Sequence, residues 1–305
     1  MRVSIAIPFY NTSEFIIQTL DSVKNQDYLD IELLLYDDCS TDHSANVVKN
    51  WLDQNANRFT RHFFIQGKVN LGASYGSNIL LENSTGDYFQ MLGADDIILP
   101  SKISKQVKFL NYNRDFSMVY SDAFRIDQFG NRLLQNYFEF QKFEKVQDLI
   151  APSGYLYDKL ICENFIPASS ILALKTAIID SGGYDPTIRS EDWDLWLRFS
   201  KKYKIGFIKS IDIEYRIHDN SSMQNKAYLG KIFESFLITL YKHYGYNISN
   251  DKTILNHINK YTVGMYRLGV LDIKYLFKNF YLNRSIKSAI YLILGIFKIK
   301  MNQLK

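Results

Sequence analysis

The chain has 305 residues, 47% of them hydrophobic and 22% charged, which excludes disordered, collagen-like and low-complexity scaffolds. Thirty-six Lys and Arg against 32 Asp and Glu leave a net charge of +4, too small for nucleic acid to be the main partner. The length suits one large α/β domain or two smaller ones. The two cysteines, Cys39 and Cys162, are too few for a disulfide framework or a metal cluster of their own and fit a reducing, cytoplasmic setting.

The first apolar run is far shorter than a signal peptide's and is punctuated by Pro8 and Asn11, so it reads as a strand. Strand-like runs at residues 3–7, 31–36, 62–66, 88–92 and 118–124 alternate with helical spacing near 13–25, 44–55, 73–82 and 102–111. Phe15, Ile16, Thr19, Leu20 and Val23 illustrate that spacing. The alternation predicts an α/β protein with a mostly parallel sheet and helices on both faces. Residues 126–168 are less regular and rich in aromatics, with Gly130, Pro152, Gly154 and Pro167 as punctuation. From about Ala227 the pattern is helical, and there is no internal repeat. No acidic residue follows Asp272, whereas Lys274, Lys278, Arg284, Lys287, Lys298, Lys300 and Lys305 are basic. The apolar run at 289–297 is well short of the roughly 20 residues that span a bilayer. It suits equally a helix in the interface of an anionic leaflet, with Tyr291, Leu292, Ile296 and Phe297 among lipids, or an ordinary packed helix.

In such sheets ligands bind beyond the carboxyl ends of the strands. Pro8-Phe9-Tyr10-Asn11 follows the first strand, Asp37-Asp38-Cys39-Ser40-Thr41-Asp42 the second, and Gly93-Ala94-Asp95-Asp96 the fourth. No dinucleotide-binding G-x-G-x-x-G, P-loop or G-x-S-x-G sequence occurs, which argues against nicotinamide, P-loop and serine-hydrolase chemistry.

Asp95 and Asp96 lie between two hydrophobic segments, a setting whose oxygens suit Mg²⁺ or Mn²⁺ bridging a diphosphate, or simply cap a turn. Ser40, Thr41 or Asp42 can cap the next helix; Asp37 and Asp38 precede that cap, where an anionic acceptor could take a pyrimidine ring N–H while Tyr10 stacks on the base. Residues 190–199 have helical spacing, with Ser190 near the cap and Asp192, Leu195, Trp196 and Phe199 on one face. The acids of its first turn also complement a helix dipole. The strand-like run from Lys204 ends in Tyr215-Arg216-Ile217-His218, where Arg216 could pair with Glu191 or a phosphate and His218 could bind a metal.

Taken together, residues 1–222 resemble the family 2 glycosyltransferases of GT-A fold. The resemblance is carried by residues 3–11, Asp37-Asp38-Cys39-Ser40-Thr41-Asp42, Asn70-Leu71-Gly72, Gly86-Asp87-Tyr88 leading into Gly93-Ala94-Asp95-Asp96, Gly182-Gly183-Tyr184-Asp185, Glu191-Asp192-Trp193-Asp194-Leu195-Trp196-Leu197-Arg198, and Tyr215 to His218. It implies a nucleotide-sugar half at about 1–125, an acceptor half at about 126–222, and a helical C-terminal extension at 223–305 that lies on a membrane surface or packs on the enzyme. By this resemblance Pro8, Tyr10 and Asp38 line the nucleoside pocket and Asp95 reaches the ribose or metal. Asp96 is the metal ligand, with His218 near the diphosphate, and Asp192 is the general base. Glu191, Trp193 and Arg216 support the acceptor side. Gly93 stands where many relatives carry a further acid, and Cys39 where glycine is frequent.

The implied reaction is a single inverting displacement from a nucleotide sugar, a UDP-sugar by the pyrimidine reading, to a hydroxyl of a glycan or lipid-linked acceptor of bacterial surface polysaccharide. It would use Mn²⁺ or Mg²⁺ in the cytoplasm or on the inner face of the membrane. A nucleotidyltransferase would need cations near the first turn, and residues 3–15 hold no Lys or Arg. A non-catalytic nucleotide-sugar or glycan-binding protein would not need Asp96 and Asp192.

Overall fold

In strand β1 (Val3–Phe9) the odd-numbered side chains fall on one side and the even-numbered on the other, the period of two of an extended chain. Helix α1 (Ile16–Lys24) and strand β2 (Ile31–Asp37) follow. Next come α2 (Ser44–Asn55), β3 (Arg61–Gln66), α3 (Ala73–Asn83) and β4 (Tyr88–Met91). The short β5 (Ile97–Ile98), α4 (Lys102–Tyr112) and the long β6 (Phe116–Ile126) lead into short helices α5 (Tyr137–Phe140) and α6 (Tyr157–Leu160). Strand β7 (Leu172–Leu174), α7 (Lys175–Asp180), α8 (Glu191–Ser200) and β8 (Lys204–Arg216) close the sheet. Beyond it lie α9 (Lys226–His243), α10 (Ile248–Leu268), α11 (Ile273–Asn283) and α12 (Ile286–Gln303).

This computed structural model describes residues 1–140, 152–189, 191–218, 226–270 and 272–303. Ser190, expected near a helix cap, residues 219–222 and Lys305 lie outside the described residues. Two compact units emerge, one of residues 1–186 with 191–218, the other of 187–190 with 219–305.

The first unit is built on an eight-stranded sheet in the order β3-β2-β1-β4-β7-β6-β8-β5. The pairs β1–β2, β1–β4, β2–β3 and β6–β8 are parallel. The pairs β4–β7, β6–β7 and β5–β8 are antiparallel. The sheet is thus more mixed than the first 125 residues suggest, because β7 inserts antiparallel between β4 and β6. On one face Val3, Ile5, Ile7, Ile31, Leu33 and Leu35 form a core with Ile16, Leu20 and Val23 of α1, Val48 and Trp51 of α2, and Ile103, Val107 and Leu110 of α4. Every residue of β2 is buried, as a central parallel strand covered on both faces requires. Glu32, near its start, accepts hydrogen bonds from Ser4 Oγ (2.6 Å) and from Thr85 N and Oγ1 (2.8 and 3.0 Å), and pairs with Arg61.

The opposite face takes α3 at very close range. A Cβ placed on Gly76 would lie 2.6 Å from Tyr36 Cδ1 and 3.3 Å from Pro8 Cβ, so only glycine lets this helix approach the ends of β1 and β2. Gly76→Ala therefore lowers stability by about 1–3 kcal/mol through overpacking. Urea unfolding measures it; a midpoint raised, as alanine raises it in an exposed helix, would show that the approach is not tight.

Candidate active site

The loops after β1 and β2 are laced together where both strands end. Asn11 N donates to Ser40 Oγ (3.0 Å), and Asn11 Oδ1 accepts from Thr41 N (2.8 Å). Asp42, one of the candidate capping residues, accepts from Ser44 N (2.9 Å) at the start of α2 and from Ser13 N (3.2 Å) across the gap. Asn11 and Cys39 both have positive φ, 53° and 64°. That conformation costs a residue with a Cβ roughly 1–2 kcal/mol and explains a preference for glycine at position 39.

Asp37 and Asp38 are 1% and 4% exposed. Asp37 accepts from Ser40 N (2.9 Å) and Gln66 Nε2 (3.1 Å). Asp38 accepts from Leu71 N (2.8 Å) and Gly72 N (2.7 Å), so it anchors the Asn70-Leu71-Gly72 segment to the end of β2. Gly72, with φ of 92°, then turns the chain into α3. Around these anchors Tyr10 is 39% exposed, leaving a ring face for stacking, and Pro8 is half-buried. Sequence reading missed Tyr75, an exposed aromatic in the first turn of α3 whose ring centroid lies 6.2 Å from that of Tyr36.

Asp95 and Asp96 occupy the turn between β4 and β5. Asp96 is 3% exposed and accepts from Ser169 Oγ (2.5 Å) and from Arg216 N (3.0 Å). Burial, then the charge of Asp95, push its carboxyl up to about 8. Asp95 meets His218 Nε2 at 3.0 Å, and the His218 ring packs on Phe15 with centroids 4.7 Å apart. Gly93 has a steric role here: a Cβ on it would lie 2.9 Å from Asp96 Oδ2 and 3.1 Å from Asp95 Oδ1. Both carboxylates thus lean over the Cα of Gly93, and a side chain there would displace them.

Arg216 departs from expectation. It pairs neither with Glu191 nor with an exposed anion site, because it is 1% exposed beneath the turn. Its Nε donates to Asp95 O (2.8 Å), Nη1 to Asp127 O and Gln128 O (3.2 Å each), and Nη2 to Gln18 Oε1 (2.6 Å). The end of β8 delivers this long side chain directly under the acids, where its hydrogen bonds fix the turn. Ser169, also unforeseen, donates to Asp96 and accepts from Gly93 N (3.0 Å). Behind it, the fully buried Lys102 Nζ donates to Gln90 Oε1 and to Gln106 Oε1 (2.7 Å), and Gln90 Nε2 donates to Ser169 O (2.9 Å).

At the start of α8, Asp192 Oδ2 accepts from Asn164 Nδ2 (2.9 Å). Leu195, Trp196 and Phe199 on the same face are buried, as the spacing predicts. Burial and the neighbouring charge of Asp192 push Glu191 up to about 8. Trp193 is 3% exposed and donates to Leu160 O (2.8 Å); it supports the helix and does not present a surface to an acceptor. Asp194 and Arg198 likewise serve structure: the pair meets at 2.7 Å while Arg198 Nη2 donates to Gly183 O (2.7 Å), holding the Gly182-Gly183-Tyr184-Asp185 turn. Tyr215, next to Arg216 at the end of β8, feels the acids of both regions. Its phenol is driven well above its ordinary pKa by burial, then by Tyr137 and the charges of Asp96, Asp95 and Asp192.

Two carboxylates and an imidazole, groups of the kind Mn²⁺ or Mg²⁺ accepts, meet at this turn, where the Asp96 carboxyl is raised and both of its oxygens already accept protein hydrogen bonds. Among the described residues no three such side chains are already drawn into a metal cage, so such a cation would take further ligands from a diphosphate. The pH dependence follows. A folded-state pKa above the ordinary 3.8 means that the folded chain holds this proton more tightly than the unfolded chain, an advantage present at low pH and lost as pH rises through about 8. Melting temperatures of the wild type therefore fall relative to Asp96→Asn between about pH 5 and about pH 9; a difference constant with pH would refute the shift.

Residues 4–159, half of the chain, match the family described as Glycosyl transferase family 2. An uncharacterised glycosyltransferase of Methanocaldococcus jannaschii is 26% identical over 272 residues, 88% of this chain and 87% of that protein. The UDP-Glc:alpha-D-GlcNAc-diphosphoundecaprenol beta-1,3-glucosyltransferase WfaP of Escherichia coli is 28% identical over 225 residues, 73% of this chain and 80% of that one. Mannosyltransferase PcManGT from Pyrobaculum calidifontis, in complex with GDP-Man and Mn²⁺, superposes with a TM-score of 0.63 at 16% identity over 97% of this chain and 79% of its own. The last likeness bears on the fold alone. The family match sets aside the nucleotidyltransferase and binding-protein alternatives: this chain belongs to glycosyl transferase family 2 and is a glycosyltransferase of the GT-A fold.

Proposed function

We propose that this glycosyltransferase inverts the anomeric centre of a UDP-sugar in one displacement, transferring the sugar to a hydroxyl of a lipid-linked glycan in bacterial surface polysaccharide synthesis. The observation that carries this is the Glu191–Asp192 pair. Asp192 is half-buried and oriented by Asn164, beside a Glu191 that burial and the charge of Asp192 hold above the ordinary carboxylate range. WfaP, with UDP-Glc and a diphosphoundecaprenol-linked sugar in its name, supports the donor and acceptor classes.

In this reaction the acceptor hydroxyl gives its proton to Asp192 Oδ1 or Oδ2 as its oxygen bonds to the anomeric carbon, and the bond from that carbon to the diphosphate oxygen breaks. Tyr10 stacks on the base beside Pro8. Asp38 shapes the nucleoside pocket through the Leu71–Gly72 backbone, whose N–H groups take both of its oxygens. Asp95, Asp96 and His218 would hold the divalent cation, which when bound offsets charge on the departing nucleoside diphosphate. Arg216 and Ser169 keep those acids in place. The reaction belongs in the cytoplasm, beside the membrane that carries such an acceptor.

Asp192→Asn lowers transfer by about 10²- to 10⁴-fold while leaving UDP affinity unchanged; radiolabelled transfer and calorimetric titration separate the two, and wild-type turnover would sink the assignment. Tyr10→Ala, in contrast, weakens UDP binding by about three- to tenfold, the loss of one aromatic stack. Unaltered affinity would remove Tyr10 from the nucleoside pocket.

A further inference from the structure

In the second unit, α11 and α12 pack on each other and on α10. Asn279 Nδ2 of α11 donates to Asn259 Oδ1 of α10 (3.2 Å), and the rings of Tyr291 on α12 and Tyr266 on α10 have centroids 5.4 Å apart. A Cβ on Gly295 of α12 would lie 2.3 Å from Leu276 Cδ1 of α11, so the two helices touch closely there. Leu276, Asn279, Ser288 and Leu292 are buried in this packing. Of the residues expected among lipids or in an ordinary packed helix, Tyr291 and Leu292 face protein; the side chain of Phe297 lies outside the described residues.

The opposite faces are bare. On α12, Ile286, Ile290, Ile293 and Leu294 are 83%, 50%, 53% and 43% exposed, at the i, i+4, i+7, i+8 spacing of one stripe. On α11, Phe277 and Tyr281 are 51% and 69% exposed one turn apart. With Lys274, Lys278, Phe280 and Arg284 they line an open depression of about 740 Å³. Lys287 is exposed beside the isoleucines. Lys274 is partly neutralised by Asp272 (3.0 Å), but residues 273–305 contain no acid at all.

We propose that the outer faces of α11 and α12 form a docking surface for an anionic lipid bilayer, with the aromatic and isoleucine side chains seated among acyl chains and Lys278, Arg284 and Lys287 against phosphate headgroups. Charge selects this occupant over a second copy of the chain. A twofold interface through these faces would bring their lysines and Arg284 together with no acid of residues 273–305 to pair them, and burying unpaired charge is costly. A membrane supplies both complements at once, mobile negative headgroups and apolar depth, and combined apolar and electrostatic signals are what reversible surface binding requires. No described helix is long and apolar enough to cross a membrane, so the contact is interfacial.

The test is co-flotation of the purified full-length chain with vesicles of phosphatidylcholine alone or mixed with phosphatidylglycerol. The wild type partitions at least tenfold more strongly onto the mixed vesicles, and added salt reverses the gain. Ile290→Ser combined with Ile293→Ser, and separately Arg284→Glu combined with Lys287→Glu, each lower that partition at least tenfold; these side chains are solvent-exposed, so melting curves stay those of the wild type. Equal partition onto both vesicle types, or wild-type partition by both variants, would overturn the proposal. So would a dimer in sedimentation velocity that Ile290→Ser and Ile293→Ser dissociate.

Discussion

A buried carboxyl group organises the catalytic unit. Asp96 lies on the turn leaving β4, yet its partners come from Ser169, before β7, and from Arg216, the last residue of β8. Those segments are 73 and 120 residues away in sequence. A carboxyl removed from water is costly unless its oxygens are satisfied, so the turn is stable only when the later strands have docked. The same contacts bind Arg216 to Asp95 O and to the 127–128 turn. The place with the strongest chemistry in the molecule is also the place where its early and late halves are fastened together.

The acids of the strand ends accordingly divide their labour. Asp37, Asp38 and Asp42 accept backbone N–H groups and hold loops, which is why motifs associated with substrate also read as turn and cap chemistry. Asp95, with a side chain 29% exposed, and Asp192, half-buried, remain placed to meet a ligand. Around α8 the motif from Glu191 to Arg198 splits in the same way: Trp193, Asp194 and Arg198 build the scaffold, and the first turn carries the pair proposed for the chemistry. Glycine has a matching role on both sides of the site. Gly76 lets α3 reach β1 and β2, and Gly93 leaves room for two carboxylates over its Cα.

The second unit follows a different logic. Its helices bury one face each and leave aromatic and aliphatic stripes bare beside lysines and an arginine, a pattern a water-soluble surface does not need. The tail's charge asymmetry was plain from the sequence. Which of its apolar residues face outward was not, because the run at 289–297 alternates between both sides of α12, and only packing against α10 and α11 separates Leu292 from Ile293.

Local patterns settle what depends on neighbours along the chain. The short apolar runs in Val3–Phe9 and Ile31–Asp37, and the three- and four-residue spacing in Ile16–Lys24 and Ser44–Asn55, were enough to place strands and helices within a few residues, because the geometries of the two backbones are intrinsic. The order of the motifs likewise pointed to the family and to carboxylates at strand ends. Tertiary structure alone decided the insertion of β7 between β4 and β6, the burial of Arg216 under Asp95, the hydroxyl of Ser169 on Asp96 and the amide of Asn164 on Asp192. None of these partners lies near the other in sequence, and each pairing exists only because a folded core brings distant strands together and makes an unsatisfied polar group expensive there.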